Sequence, residues 1–376
     1  MKSKNSKTRL MVAASESDAD MLYATRFFAP DAFIFLEQNR KRTLVLSDLE
    51  IDRGRKQAEA DEILPYSKFE KEVQGKSTKA PAYEKVLAHF LTTRKVRSAF
   101  VPAKFPLGYA RELAAQKIRL EPGGELYWPE RETKTEAELR LLRKALEITE
   151  AGMARGIEVL KKSKPSKGGK LEWSGKVLTS EMLRAEIDAA VLRAGGLPAN
   201  TIVAGGDQAC DPHERGHGPL KANRLIILDI FPRSAASGYY GDLTRTVLRG
   251  RASDEQRQLW ETVNAGQALA LKKMKPGVDG LKLHKEVKQF FADQGYPTEI
   301  RDGRQTGFFH GTGHGLGLEI HEFPRFQKTV FKAGQVLTVE PGLYYPGIGG
   351  VRTEDVVAIT KSGIRMLSRF PNHLEV

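Results

Sequence analysis

Four acidic residues of this chain lie in apolar, strand-like surroundings, which limits what the chain can fold into. Residues 225 to 231 read LIILDIF, with Asp229 inside the run. Asp242 follows in GYYGDLTRTVL, Glu340 ends the apolar part of VLTVEPGLYY, and Glu354 lies within VRTEDVVAI. Runs of this kind read as buried strands. A carboxylate buried alone is strongly unfavourable or is driven neutral, so buried acids are paired or hold a metal. One such acid could reach water or an arginine at a strand end. Four in four strand contexts point to a fold that gathers them around a common cation. A hairpin joining the first two strands would bring Asp229 and Asp242 together. Alternate residues of a strand share a face, which predicts that Arg352 and Glu354 point the same way.

A second feature is HGTGHGLGLEIHE, His310 to Glu322, which carries three of the eight histidines with four glycines between them. Glycines lack Cβ, so this backbone can turn tightly and approach a ligand closely. Carboxylate oxygens with one imidazole suit divalent Mn, Fe, Co or Zn. One histidine would complete a metal shell and the others would bind substrate or stabilise charge; the pattern alone does not say which is the ligand. Four carboxylates carry four negative charges, which two divalent cations balance, so the donor set favours a two-metal centre.

The 376 residues suggest two domains, at about 100–200 residues each. The first third alternates strand-like runs (RLMVAA from Arg9, AFIFLE from Ala32, RTLVLS from Arg42, SAFVPA from Ser98) with helix-like segments from Ala82 and Gly108. That pattern predicts an α/β layer. It has no glycine-rich phosphate loop and no cluster of titratable groups, so its expected role is structural, oligomeric or site-shaping. EPGGELYWPE, Glu121 to Glu130, reads as a junction. A long helix follows, with Leu139, Leu142, Ala145, Leu146 and Ile148 as its apolar stripe. Thr133 and Glu136 are spaced as a capping box. Ser163 to Lys176 reads as a solvated, inserted loop. LRAEIDAAVLRAGGLP from Leu183 resembles LHKEVKQFFADQGYP from Leu283, as if this part were built from two similar halves.

The formal net charge of +13 speaks to solubility and non-specific binding, not to fold. Its two clusters, MKSKNSKTR at the N-terminus and Lys161 to Lys170, lack interleaved aromatics, and no nucleic-acid signature accompanies them. Cys210 is the only cysteine, so no intramolecular disulfide forms. LMVAA is too short for a signal-peptide core, and no run approaches a membrane span. The chain reads as a soluble cytoplasmic protein, with neither a nucleic-acid nor a membrane partner.

Asp229, Asp242, the HGTGHGLGLEIHEFP segment, VEPG and RTED, in this order, resemble the pita-bread metallopeptidases (family M24). The closest resemblance is to Xaa-Pro aminopeptidases and Xaa-Pro dipeptidases (prolidases), from about Arg131 to the C-terminus. The first third resembles the N-terminal domain of creatinase and prolidase relatives. The resemblance implies an α+β protein, with a smaller α/β domain over residues 1–127 and a pita-bread catalytic domain over 128–376. It implies that Asp229, Asp242, His314, Glu340 and Glu354 hold two divalent ions, manganese first among Mn, Co, Zn and Fe. Asp242 and Glu354 would bridge them. His310, His321 and His213 would lie on the substrate side, with Arg352 beside Glu354 and Glu340 as proton shuttle. The implied substrate is a peptide with proline second, and the implied assembly is a homodimer or larger.

Asp229 and Asp242 are thirteen residues apart, two more than is usual in the family, and the extra residues fall in PRSAASGYY. The segment GGDQACDPH before His213 is also atypical, which leaves His217 as a competitor and bears on proline specificity. Alternatives are a non-catalytic binding protein on the same fold and a metallopeptidase of different N-terminal specificity. A two-metal phosphoesterase or nuclease fits the order of the motifs less well. A metal-free creatine hydrolase would lack the carboxylate set.

Overall fold

The computed structural model describes residues 8–376. Most of the N-terminal basic cluster therefore lies outside the described residues. A break at Pro129/Glu130 separates two compact units.

The first unit contains strands β1 (Arg9–Ala13), β2 (Phe33–Gln38), β3 (Lys41–Leu46), β4 (Glu62–Pro65), β5 (Ser98–Val101) and β6 (Arg119–Pro122). They form one mixed sheet in the order β4-β3-β2-β1-β5-β6. Period-two alternation splits its apolar residues between two cores. Leu10, Ile34 and Leu36 enter one with Val86 and Phe90; Met11, Phe33 and Phe35 enter the other with Trp128. Five helices belong to this unit: α1 (Ala19–Thr25), α2 (Ile51–Gln57), α3 (Tyr66–Gln74), α4 (Tyr83–Thr93) and α5 (Leu107–Ala115). The four expected strands and both expected helices are present. Strands β4 and β6 escaped the sequence pattern because EILP and RLEP have no fully buried residue to mark them.

The second unit opens on α6 (Glu136–Lys162), whose Leu139, Leu142, Ala145, Leu146 and Ile148 are buried as the stripe predicts. The cap is two residues later than expected. Thr135 Oγ1 accepts from Glu138 N, and Glu138 Oε2 accepts from Thr135 N at 2.9 Å. Both Thr133 and Thr135 have glutamate three residues on, but Lys134 N is taken by Gly334 O at 2.7 Å, so the chain is still extended there. Ser163 to Lys176 is not simply a solvated loop. It forms a small sheet of β7 (Lys164–Pro165), β8 (Leu171–Trp173) and β9 (Lys176–Val177), and Leu171 is fully buried.

Helix α7 (Ser180–Arg193) follows, and later α8 (Asp254–Lys273) and α9 (Gly280–Asp293). The weak repeat has a structural counterpart in these helices. Leu183, Ile187 and Val191 of α7 are buried, as are Leu283, Val287 and Phe291 of α9. Glu186 pairs with Arg155 on α6 and Glu286 with Lys273 on α8, both at 2.6 Å, so each helix is tied to its predecessor in the same way.

Strands β10 (Gly196–Leu197), β11 (Ile202–Gly205), β12 (Ile226–Ile230), β13 (Arg233–Ser234) and β14 (Leu243–Val247) follow α7. Of these, β11-β12-β14 form one antiparallel sheet. Beyond α9 come the hairpin β15 (Glu299–Arg301) and β16 (Arg304–Thr306), then β17 (His314–Gly315), β18 (Glu322–Arg325), β19 (Val336–Val339), β20 (Gly342–Tyr345), β21 (Gly349–Arg352), β22 (Asp355–Ile359) and β23 (Ile364–Met366). A five-stranded sheet runs β18-β17-β19-β22-β23, while β20 and β21 pair separately. VRTEDVVAI is therefore two strands. Thr353 and Glu354 form the step from one sheet to the other, where Glu354 N donates to Thr244 O at 3.1 Å. The strand alternation that the sequence suggested therefore does not relate Arg352 to Glu354, although both side chains line the same cavity. No helix among the described residues is long and apolar enough to cross a membrane.

Candidate metal centre

The acids come from different elements of the second unit. Asp229 sits on the central strand β12, opposite Thr244 of β14. The loop of residues 231–242 closes this hairpin and brings Asp242 to its end, where it is buried. The longer spacing is absorbed in that loop. Thr244, the cross-strand partner of Asp229, donates from Oγ1 to Glu354 Oε2 at 2.8 Å. Glu340 directly follows β19 and donates its N–H to Thr312 O at 2.8 Å, which ties it to the histidine-rich segment.

His314 is oriented by its neighbours. Its N–H donates to Thr338 Oγ1 at 3.0 Å, and that hydroxyl donates to Glu340 Oε1 at 3.2 Å. Its Nδ1 lies 3.1 Å from Gly315 O. A carbonyl only accepts, so the proton is on Nδ1 and Nε2 presents a lone pair. Nε2 lies 3.3 Å from Glu340 Oε1 and 3.6 Å from Asp242 Oδ2. One donor atom each of Asp242, His314 and Glu354 falls within 4.8 Å of the others. The glycines permit close packing rather than left-handed turns. A Cβ on Gly313 would stand 2.0 Å from Thr338 O, and none of the four glycines has positive φ.

Burial, then the charges of Asp229 and Glu340, raises the Asp242 carboxyl well above its ordinary range. Burial and the charges of Asp242, Glu340 and Asp229 do the same to Glu354. Burial pushes Glu340 up to about 7, against the pull of Arg352. Asp229 is paired on one side only: Arg352 reaches its Oδ2 at 2.7 Å, and its Oδ1 is buried without a hydrogen-bond partner. An orphaned carboxylate oxygen, an imidazole lone pair and three carboxyls held up by burial and by one another's charge form a donor set that a divalent cation would satisfy. The residues fit the metals that the sequence implies.

These groups line a cavity of about 900 Å³, together with His310, His213, His321 and Arg352. His217 is not among its lining residues. Both ring nitrogens of His310 are engaged: Nδ1 donates to Gly311 O at 2.8 Å, and Nε2 accepts from the Tyr344 hydroxyl at 2.7 Å. Burial lowers its pKa to about 3. Burial brings His314 to about 4. His321 is more open to solvent, yet its partial burial, then His314 and Arg325, bring it also to about 4. Its ring meets His314 edge-on at 4.3 Å between centroids.

Sequence reasoning missed several neighbours. Tyr344 accepts from Arg352 NH1 at 3.0 Å and so links Asp229 to His310. Thr244 and Thr338 stand two residues from Asp242 and Glu340, where strand alternation would have placed a hydroxyl beside each acid. Arg325 also lines the cavity and forms no ion pair among the described residues.

Residues 140–361 match the model of metallopeptidase family M24. The chain belongs to that family. It is 27% identical over 320 residues to a Xaa-Pro dipeptidase of Pyrococcus horikoshii, covering 83% of this chain and 84% of that one. It is 32% identical over 248 residues to a Xaa-Pro dipeptidase of Pyrococcus furiosus, 64% of each chain. The structure superposes on the X-Pro aminopeptidase from Thermotoga maritima with a TM-score of 0.82 at 23% identity, over 98% of this chain and 97% of that one. For the prolidase from Pyrococcus horikoshii the TM-score is 0.78 at 24% identity, over 98% and 95%. The α+β fold of these M24 proteins, with a smaller domain before the pita-bread domain, is the fold of this chain.

Proposed function

We propose that the chain is a metal-dependent peptidase that hydrolyses Xaa-Pro bonds. The observation that carries this reading is the convergence of Asp229, Asp242, Glu340, Glu354 and the Nε2 of His314 in one cavity, in a chain similar to proteins named Xaa-Pro dipeptidase. In this reading Asp242 and Glu354 would be shared by two divalent ions, with His314 and Glu340 serving one of them and Asp229 the other. Manganese is the first choice, with Co, Zn and Fe as chemically suitable alternatives. Bound divalent ions lower the pKa of water and polarise a carbonyl.

The chain's own groups do the rest. Arg352 orients Asp229. Glu340 takes a proton from the attacking water and passes it to the leaving nitrogen. That nitrogen belongs to a tertiary amide when proline leaves, so it has no proton of its own. His321, neutral at pH 7, donates a hydrogen bond to the developing oxyanion, with His213 on the same side. His310, bound to Tyr344, presents its ring to the substrate.

The dipeptidase form is favoured by Arg325, a cavity-lining guanidinium without an ion-pair partner among the described residues, which suits the carboxylate of a two-residue substrate. Residues 128–376 are the catalytic domain in this proposal, and residues 1–127 have a structural role or serve an assembly of two or more copies. A cytoplasmic location belongs to the same proposal. The complete donor set disfavours a purely non-catalytic role.

The test is hydrolysis of an Xaa-Pro dipeptide and of an Xaa-Pro-Yaa peptide, with manganese and with chelator. Chelator-sensitive cleavage of the dipeptide alone supports the proposal in full. Cleavage of the longer peptide makes the chain an aminopeptidase. Two bound metals without cleavage of either peptide would remove the proline assignment.

A further inference from the structure

Behind the histidine-rich segment lies a second buried charge cluster that contributes nothing to the cavity lining. Glu322, 4% exposed, accepts at Oε1 from Lys134 Nζ at 2.5 Å. Its Oε2 accepts from Arg131 NH2 at 2.7 Å and from the backbone N–H groups of Leu318 and Glu319 at 3.1 and 3.2 Å. Lys134 also donates to Arg131 O at 2.7 Å, and Arg131 reaches Glu319 as well. One carboxylate thus gathers the turn that precedes it and bolts that turn to residues 131–134, just ahead of α6. A Cβ on Gly317 would stand 2.2 Å from Glu322 Oε1, so the close approach is built into the sequence.

The same turn is braced from the other side. Tyr240 N donates to Gly317 O at 2.8 Å, and the Tyr239 hydroxyl donates to Glu138 at the start of α6 at 2.8 Å. The segment before α6 and its first turn therefore hold both the loop that leads to Asp242 and the turn that carries His321.

His321 is adjacent to Glu322 and lines the cavity while Glu322 points into the protein. No hydrogen bond orients the His321 ring among the described residues; the backbone and the edge contact with His314 place it. Buried ion pairs are weak devices for stability, since apolar packing of the same volume often does as well. What this cluster supplies is direction: four hydrogen bonds converge on one carboxylate, one residue from the imidazole.

We propose that Glu322, held by Lys134 and Arg131, is a positioning residue that sets the His321 imidazole against the substrate. This rests on the reading that His321 acts on the substrate. A shift of about 1 Å in such a group costs on the order of a hundredfold in rate.

The experiment is a double-mutant cycle on the manganese-loaded full chain, with kcat, KM, bound metal per chain and melting temperature measured for each protein. Glu322→Gln is expected to lower kcat by about tenfold or more, with KM and bound metal nearly unchanged. His321→Ala is expected to lower kcat, and adding Glu322→Gln to it should produce no further fall, because both act through one ring. Lys134→Gln should lower kcat less and Lys134→Arg should restore it; this pair keeps the test open if Glu322→Gln fails to fold. An unchanged kcat in Glu322→Gln overturns the proposal. So does an equal fall in both backgrounds, which would mean that Glu322 acts by holding the fold in general. If His321→Ala alone leaves kcat unchanged, the reading of His321 is wrong and the proposal falls with it.

Discussion

Arg352 pairs with only one oxygen of Asp229. Its NH2 lies 2.7 Å from Oδ2, while Oδ1 is buried and unpaired. The guanidinium is itself buried, yet Tyr344, Asp229 and Glu340 keep it firmly protonated. Replacing it by methionine keeps the bulk and removes the partner. Breaking a buried pair from one side costs about 3–5 kcal/mol. Arg352→Met should lose stability on that scale in the ion-free protein, and added manganese should recover part of it, since Asp229 then has a cation again. Denaturant unfolding with and without metal measures both. Equal losses in the two conditions would detach Arg352 from the centre.

Glu340 gives a pH signature of opposite sign to that of an ordinary paired acid. Its carboxyl is held up at about 7 in the ion-free protein. The folded state therefore binds the proton more tightly than the unfolded state does. Between about 4.5 and 7, folding is penalised progressively as pH rises. Glu340→Gln removes that penalty. The ion-free variant should melt above wild type at pH 7 and level with it at pH 4, whereas with manganese present the order should reverse because a ligand is gone. Comparing the two proteins cancels the histidines, whose lowered pKa values act in the other direction. A constant offset across pH would show that burial does not hold the Glu340 carboxyl up.

How much of this was legible beforehand depended on how local each cause was. Asp229 and Glu340 were visible because an acid stands out in or beside an apolar run. The stripe of α6 was visible because period 3.6 is a local property. The cap at Thr135 was not, because two threonines satisfy the same spacing and a distant bond from Lys134 to Gly334 decides between them. The step between β21 and β22 was hidden for a similar reason. VRTEDVVAI reads as one strand until Thr244 captures the backbone of Glu354. Tyr344 and Glu322 drew no attention, because a tyrosine in a strand and a glutamate in a polar loop are ordinary until their partners are known.

Glu354 tests the bridging assignment. It is buried, accepts from Thr244 Oγ1 at 2.8 Å and lies with Asp242 and His314 in the tightest donor group. Its burial, and then its repulsion by Asp242, Glu340 and Asp229, should make its removal stabilising in the absence of metal. Glu354→Ala should therefore fold, bind fewer than two metals per chain and lose activity. Elemental analysis of the purified, manganese-equilibrated variant reads the stoichiometry. Retention of both the full metal content and activity would end the bridging role.

Arg325 offers a test of the proposed dipeptidase form. It is exposed at the cavity lining and contacts Phe323 by its cationic face, at 5.7 Å from the ring centroid. A hydrogen bond to a charged group contributes about 1.5–3 kcal/mol, or roughly 10- to 100-fold in kcat/KM. If Arg325 receives the free carboxylate of a dipeptide, Arg325→Met should lose that factor on an Xaa-Pro dipeptide and little on the same dipeptide with an amidated C-terminus. The wild type should in turn prefer the free acid over the amide by a similar factor, and that preference should weaken as ionic strength rises, because the guanidinium is solvent-accessible. Steady-state kinetics of the two proteins on the two substrates gives all four values. Equal losses on acid and amide would place Arg325 outside carboxylate recognition and return the chain to the aminopeptidase form, in which the peptide continues past proline and no carboxylate lies there.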